Sequence, residues 1–315
     1  MHTIAFPTLL VIFLSLLGIP CYAEPLRFAV TPEAPGPAPE YREVLKNAES
    51  KVLKTIVQYE RRLDGPKKQD VWLAFTKLLE RTTALDIELD FPESQLAFER
   101  GLANGSYDFA YMTPLQFIAS TESQNYRALV KRKAQPLRSL ILVKKEDEAR
   151  TLRDIENDVT GFSSLLNYTS SIIPRHSLRR LGIELPMSVF STEEALFQAL
   201  TANKVRAISV AEASYYDLPP DRQEQHKILW ETPGFAPFVF AAHPRLPFFS
   251  INKLQRAMVN LNRGGKNQEL FALLRANNGF EVARNSDWID AQSIDLRSLN
   301  LNVNLKTPPD RNKGL

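Results

Sequence analysis

Residues 96–118 read LAFERGLANGSYDFAYMTPLQFI. Leu96, Glu99, Arg100, Leu102 and Ala103 recur every three to four positions, the period of a helix face. Asn104-Gly105 ends that helix, because a glycine just past the last apolar turn accepts the left-handed conformation that helix ends favour. Tyr107-Asp108-Phe109-Ala110-Tyr111 then makes a short apolar strand, and Met112-Thr113-Pro114 opens a second helix with Pro114 in its first turn, where the missing N–H costs nothing. Such a junction brings hydroxyl and backbone N–H groups to a helix N-terminus, a setting suited to an anion. An ordinary α/β connection without a ligand has the same elements, so the stretch fixes the fold class more firmly than the function.

Leu102-Ala103-Asn104-Gly105, followed by Tyr107-Asp108-Phe109-Ala110-Tyr111 and Thr113-Pro114, resembles the "L-x-x-G-x-x-D-hydrophobic-A" signature of periplasmic substrate-binding proteins. The phosphate/phosphite/phosphonate-binding family of ABC importers is the most similar group. The resemblance implies an α/β clamshell of two lobes (type 2), each a mixed sheet flanked by helices. It implies capture of a small oxyanion between the lobes for an ABC permease. The same clamshell reporting to a membrane sensor kinase is the alternative.

Met1 to Ala23 contain no Lys, Arg, Asp or Glu, and their apolar core, Leu9 to Leu17, is short for a bilayer span. With Cys21-Tyr22-Ala23 before Glu24, residues 1–23 read as a cleavable secretory signal and the chain as periplasmic. An uncleaved anchor or a lipoprotein signal at Cys21 is the other reading, against which Pro20 stands where a lipobox has a small residue. Cleavage would remove the only cysteine, so the mature chain would have no disulfide and no thiolate chemistry. The remaining 290 or so residues suffice for two domains. Apolar and charged fractions of 44% and 24% are globular values, and the formal charge of +3 argues neither for nucleic acid nor for an anionic membrane. Lys131-Arg132-Lys133 reads as a solvated element end.

Leu26–Val30 is a strand running into Thr31-Pro32, which the resembled family also has at its cleft; a plain Pro-rich linker is the alternative. Tyr41–Leu63 reads as an amphipathic helix with Val44, Leu45, Val52, Leu53, Ile56 and Val57 on one face, an addition to the family pattern. Alternating strands and helices through residue 118 argue a parallel sheet with helical crossovers. The expected division is residues 24–138 plus 239–315 for the first lobe and 139–238 for the second, with the Pro233-Gly234 region as a hinge.

Thr169-Ser170-Ser171 precedes the helix from Arg175 to Leu181, and three hydroxyl residues at a helix start can cap it or cradle an oxyanion. In the resembled family "S-T-S-G" stands here, so Thr169, Ser170 and Ser171 take its oxyanion contacts, with Tyr168 in place of the first Ser and Ser171 in place of the Gly. Tyr111 and Thr113 face them from the first lobe. Ser191 or Thr192 caps the next helix, with Glu194 placed for a capping box from Ser191. Glu212, after the Val205–Val210 strand, is either a cleft carboxylate that accepts a proton from the ligand or a surface residue. The chain has no G-x-S-x-G, H-E-x-x-H, P-loop or G-x-G-x-x-G. His176, His226 and His243 lack metal spacing. A monomeric binding protein without cofactor or metal is the expectation, not an enzyme.

Overall fold

The computed structural model describes residues 24–37, 68–265 and 267–299. Residues 1–23, read from sequence as a signal, and 41–63, read as an amphipathic helix, lie outside these described residues. Among the described residues eleven strands run in chain order as β1 (Leu26–Val30), β2 (Ile87–Asp90), β3 (Phe109–Met112), β4 (Arg127–Arg132), β5 (Ser139–Lys144), β6 (Thr160–Phe162), β7 (Met187–Val189), β8 (Ala207–Ala211), β9 (His226–Glu231), β10 (Val239–Ala242) and β11 (Phe280–Val282). They form two mixed sheets, ordered β11-β4-β10-β3-β1-β2 and β7-β6-β8-β5-β9, so the fold is a two-lobed α/β type 2 architecture.

The first sheet begins as expected, with β1 parallel to both β2 and β3. Then β10 enters antiparallel between β3 and β4, so two strands of the first sheet, β10 and β11, arrive only after the chain has completed the second. Aromatic side chains fill the interior on the Lys68–Thr83 helix side. Phe28 stacks on Phe109 at 4.5 Å, and Phe240 meets Trp72, Phe75 and Tyr111 within 6.0 Å. Each such contact adds about 0.5–1.5 kcal/mol beyond area burial. At the sheet end away from the cleft, the Asp108 carboxylate accepts from the Arg27 N–H at 2.8 Å and pairs with Arg245 at 2.7 Å, joining the starts of β1 and β3 to the segment after β10.

Two connections pass between the sheets, from β4 to β5 and from β9 to β10. They pair with each other through Leu137 and Phe235, whose N–H groups exchange bonds with the opposite carbonyls at 2.8 and 2.9 Å. In the second sheet Gly161 lies where a Cβ would stand 2.6 Å from Leu196 Cδ1, so this parallel strand has room for nothing larger. Thr192 rather than Ser191 caps the Glu193–Thr201 helix, its hydroxyl accepting from the Ala195 N–H at 3.1 Å. The expected box from Ser191 to Glu194 is therefore not formed, because the helix begins one residue later than that pattern requires.

Candidate functional site

The sheet register places the first-lobe residues. Met112, Val239 and Lys131 share one row, because Val239 pairs with both neighbours. Thr113, Phe238 and Arg132 stand one position beyond, at the edge from which the chain leaves for the second sheet. Thr31 lies at the same edge, its N–H donating to the Tyr111 carbonyl at 2.9 Å.

Thr113 is buried and caps the Pro114–Gln124 helix. Its hydroxyl accepts from the Gln116 N–H at 3.3 Å while the Gln116 side chain accepts from the Thr113 N–H at 3.0 Å. This capping box consumes the backbone donor that the sequence offered to a ligand, leaving the hydroxyl proton. Tyr111 is buried among Trp72, Phe238 and Phe240, and burial raises its pKa against the opposing influence of the nearby Arg132 charge.

In the second lobe the hydroxyl cluster does not start an ordinary helix. Tyr168–Ile172 forms a π turn that runs directly into the Ile173–Arg180 helix. π turns of this kind recur at functional sites. Asn167 caps it, its side-chain oxygen accepting from both the N–H (2.8 Å) and the hydroxyl (2.9 Å) of Ser170. The turn is pinned to the sheet behind it: Ser209 Oγ donates to the Ser170 carbonyl at 2.7 Å, and Ser139 Oγ donates to the Thr169 carbonyl. Thr169 remains partly exposed. Ser171 Oγ and the Tyr168 hydroxyl are buried and have no hydrogen-bond partner. Buried hydroxyls are almost always paired, so two unpaired ones in a single turn set it apart.

Glu33, which the sequence reading passed over, joins the lobes. Its carboxylate accepts from the Tyr168 N–H at 2.8 Å, occupying the first donor of the turn. Burial pushes its pKa up to about 7 and Glu99 adds to the rise, while the Tyr168 bond and the Lys68 charge oppose it. Lys68 in turn donates to the carbonyls of Pro32 and Ala34 at 2.7 and 3.1 Å, fixing the loop that carries Glu33. A second tie crosses the lobes where Arg275 grips Asp217 with two nitrogens and donates from Nε to the Gly36 carbonyl at 2.7 Å. The only signal for Glu33 was its place two residues after Thr31; for Arg275 there was none.

Glu212 lies at the connection between lobes. Its N–H donates to the Arg138 carbonyl at 3.0 Å and its carboxylate stands 3.9 Å from the same residue's guanidinium, which also pairs with Glu231. Thr169, Ser170 and Ser171 are thus brought together in one turn, and Tyr111 and Thr113 at one sheet edge, whereas Glu212 is engaged with Arg138. A groove of about 500 Å³ beside the Phe248–Asn260 helix, lined by Thr82, Phe249 and Lys253, contains none of these residues. Among the described residues no group of His, Cys, Asp and Glu could hold a metal ion.

Comparison with solved structures finds the same fold at low identity. A binding protein component of an ABC phosphonate transporter from Pseudomonas aeruginosa shares 14% identity at a TM-score of 0.62, over 89% of this chain and 90% of that one. PhnD1 of Prochlorococcus marinus, solved in complex with methylphosphonate, shares 15% at 0.65 over 87% and 98%. A Xanthomonas citri protein bound to ATP shares 11% at 0.63 over 89% and 100%. No curated protein matches the chain. The family model for the periplasmic substrate-binding protein of phosphonate ABC transporters matches residues 64–288. The chain belongs to that family, one of periplasmic substrate-binding proteins rather than an enzyme class.

Proposed function

We propose that the chain captures a small phosphonate-like or phosphate-like oxyanion between its lobes and delivers it to an ABC permease. The observation that carries this reading is the Asn167–Ile172 turn, where buried Ser171 Oγ and Tyr168 OH lack partners beside the partly exposed Thr169. A desolvated anion needs several donors at once, and a pinned turn at a helix start supplies them without reorganisation. Thr113 would add its hydroxyl from the first lobe. Tyr111 contributes through the packing of the sheet edge, and Glu212 through the connection it shares with Arg138. Closure is favoured only by a ligand that touches both lobes. The methylphosphonate in the Prochlorococcus relative makes that compound the first probe.

The test is calorimetric titration of refolded protein with methylphosphonate, phosphate, phosphite, sulfate and carboxylates. Tight binding of one phosphorus oxyanion, abolished in Thr169→Ala/Ser170→Ala with folding retained, is the expected result. Unchanged affinity in that variant removes the cradle. Silence across the panel favours the sensor-kinase role, in which the lobes answer to a different ligand.

A further inference from the structure

Arg132 is the last residue of β4 and stands in the row of Thr113 and Phe238 at the cleft edge of the first sheet. It is 7% exposed. Its guanidinium lies 5.9 Å from the Phe238 ring centre, and one terminal nitrogen donates to the Arg275 carbonyl at 3.2 Å. Its Nε is buried and has no partner. Among the described residues no carboxylate pairs with it, a lack shared by the other buried arginine, Arg175, in the helix after the hydroxyl turn, whereas Arg27, Arg138, Arg206, Arg222, Arg245 and Arg275 all have one. A buried guanidinium without a counter-ion is costly, since arginine stays charged at any ordinary pH and cannot relieve the penalty by losing its proton. Such a group is retained where an anion arrives from outside.

Resting on the oxyanion-capture reading above, we propose that Arg132 is the cationic contact to the captured anion, which makes the cleft select doubly charged oxyanions over singly charged ones. The second-lobe turn itself offers hydroxyls and N–H groups but no charged side chain, and Arg175 in the helix that follows it donates to the Leu299 carbonyl. Arg132 supplies the distinction between dianion and monoanion from the first lobe, through an Nε donor backed by the Phe238 face. Its position beside Arg275, whose own charge is neutralised by Asp217, leaves Arg132 as the cation of this edge with unspent charge. The charged groups of the same neighbourhood are Arg275 and Asp217, with Glu193 beside that pair, Glu33 on the adjoining loop and Lys68 at the start of the Lys68–Thr83 helix.

The experiment titrates wild type, Arg132→Gln and Arg132→Lys with methylphosphonate at pH 6 and pH 8.5, across the second ionisation of the probe, and at low and high salt. In wild type, affinity rises with pH and falls with salt. In Arg132→Gln, affinity at pH 8.5 falls at least about thirtyfold, as for a truncated buried charge contact. The dependence on pH and salt flattens, while the melting temperature of the ligand-free protein is unchanged or higher. Arg132→Lys keeps the pH dependence at intermediate affinity, and its result decides the matter if the Gln variant does not fold. A residue that only packs the sheet edge would instead lower the melting temperature and leave the dianion preference intact. Wild-type affinity in Arg132→Gln overturns the proposal while leaving oxyanion capture standing. No binding of any panel compound by wild type overturns both.

Discussion

Replacing Glu33 by glutamine keeps an acceptor for the Tyr168 N–H and removes the ionisable group, so the electrostatics of that interlobe contact become measurable. The carboxyl pKa is raised from 4.5 to about 7, chiefly by burial. A carboxyl group raised in the folded state contributes stability that is fully present below its unfolded value and lost as pH rises through the folded one. The window is therefore about pH 4.5 to 7. At about 1.36 kcal/mol per pH unit, the interval sets an upper limit of roughly 3 kcal/mol on the cost of holding Glu33 ionised at pH 8. The Lys68 charge already lowers the burial cost within that value, and the ammonium is itself disfavoured by burial. Removing the carboxylate leaves that ammonium less compensated. We expect a net gain of about 1–2 kcal/mol for Glu33→Gln at pH 8, or roughly 2–4 °C in melting temperature for a chain of this size. At pH 5, half a unit above the lower end of the window, most of the gain is gone. Scanning calorimetry of ligand-free parent and variant at pH 5, 6, 7 and 8 reads the difference directly. A variant less stable than the parent at pH 8, or equally shifted at both extremes, refutes the reasoning.

Three further perturbations address separate links of the structure. Arg275→Ala removes the two-nitrogen grip on Asp217 and the bond to the Gly36 carbonyl, and should weaken ligand binding by about 1–3 kcal/mol, since both partners are partly buried; calorimetry that finds equal affinity would show these contacts to be irrelevant to closure. Gly161→Ala sets a Cβ 2.6 Å from Leu196 Cδ1 and 3.1 Å from the Phe190 ring, an overpacking that should cost about 1–3 kcal/mol in denaturant unfolding. Thr192→Ala should cost about 1 kcal/mol and Ser191→Ala almost nothing, because only the Thr192 hydroxyl accepts from the helix; the reverse order would move the cap back to Ser191.

Much of the fold was legible because its signals are local. Leu26–Val30 forms a strand over the residues read from sequence, and Gly105 takes the left-handed conformation at φ 63° that ends the Gln95–Ala103 helix. Pro114 occupies the first position of its helix, as its fixed geometry allows. The hydroxyl cluster at 169–171 was visible for the same reason: three adjacent side chains declare themselves in one dimension. What they do there was less visible. Ser170 spends its hydroxyl on Asn167, while Ser171, assigned by analogy with a glycine, holds a buried orphan oxygen.

Local chemistry in the sequence thus determined the strands, turns and helix starts, together with the family signature that those turns carry. Tertiary structure alone decided the rest. The antiparallel entry of β10 between β3 and β4 depends on a strand from more than a hundred residues away. The raised pKa of Glu33 depends on the burial that the folded chain imposes on it, a rise that the Tyr168 N–H of the second lobe opposes. Arg132 sits in a basic triplet that reads as solvated, and becomes a buried, unpaired cation only because Phe238 and Arg275 are folded against it. Desolvation and counter-ion pairing are properties of what surrounds a side chain in space, and along the chain those neighbours are far apart.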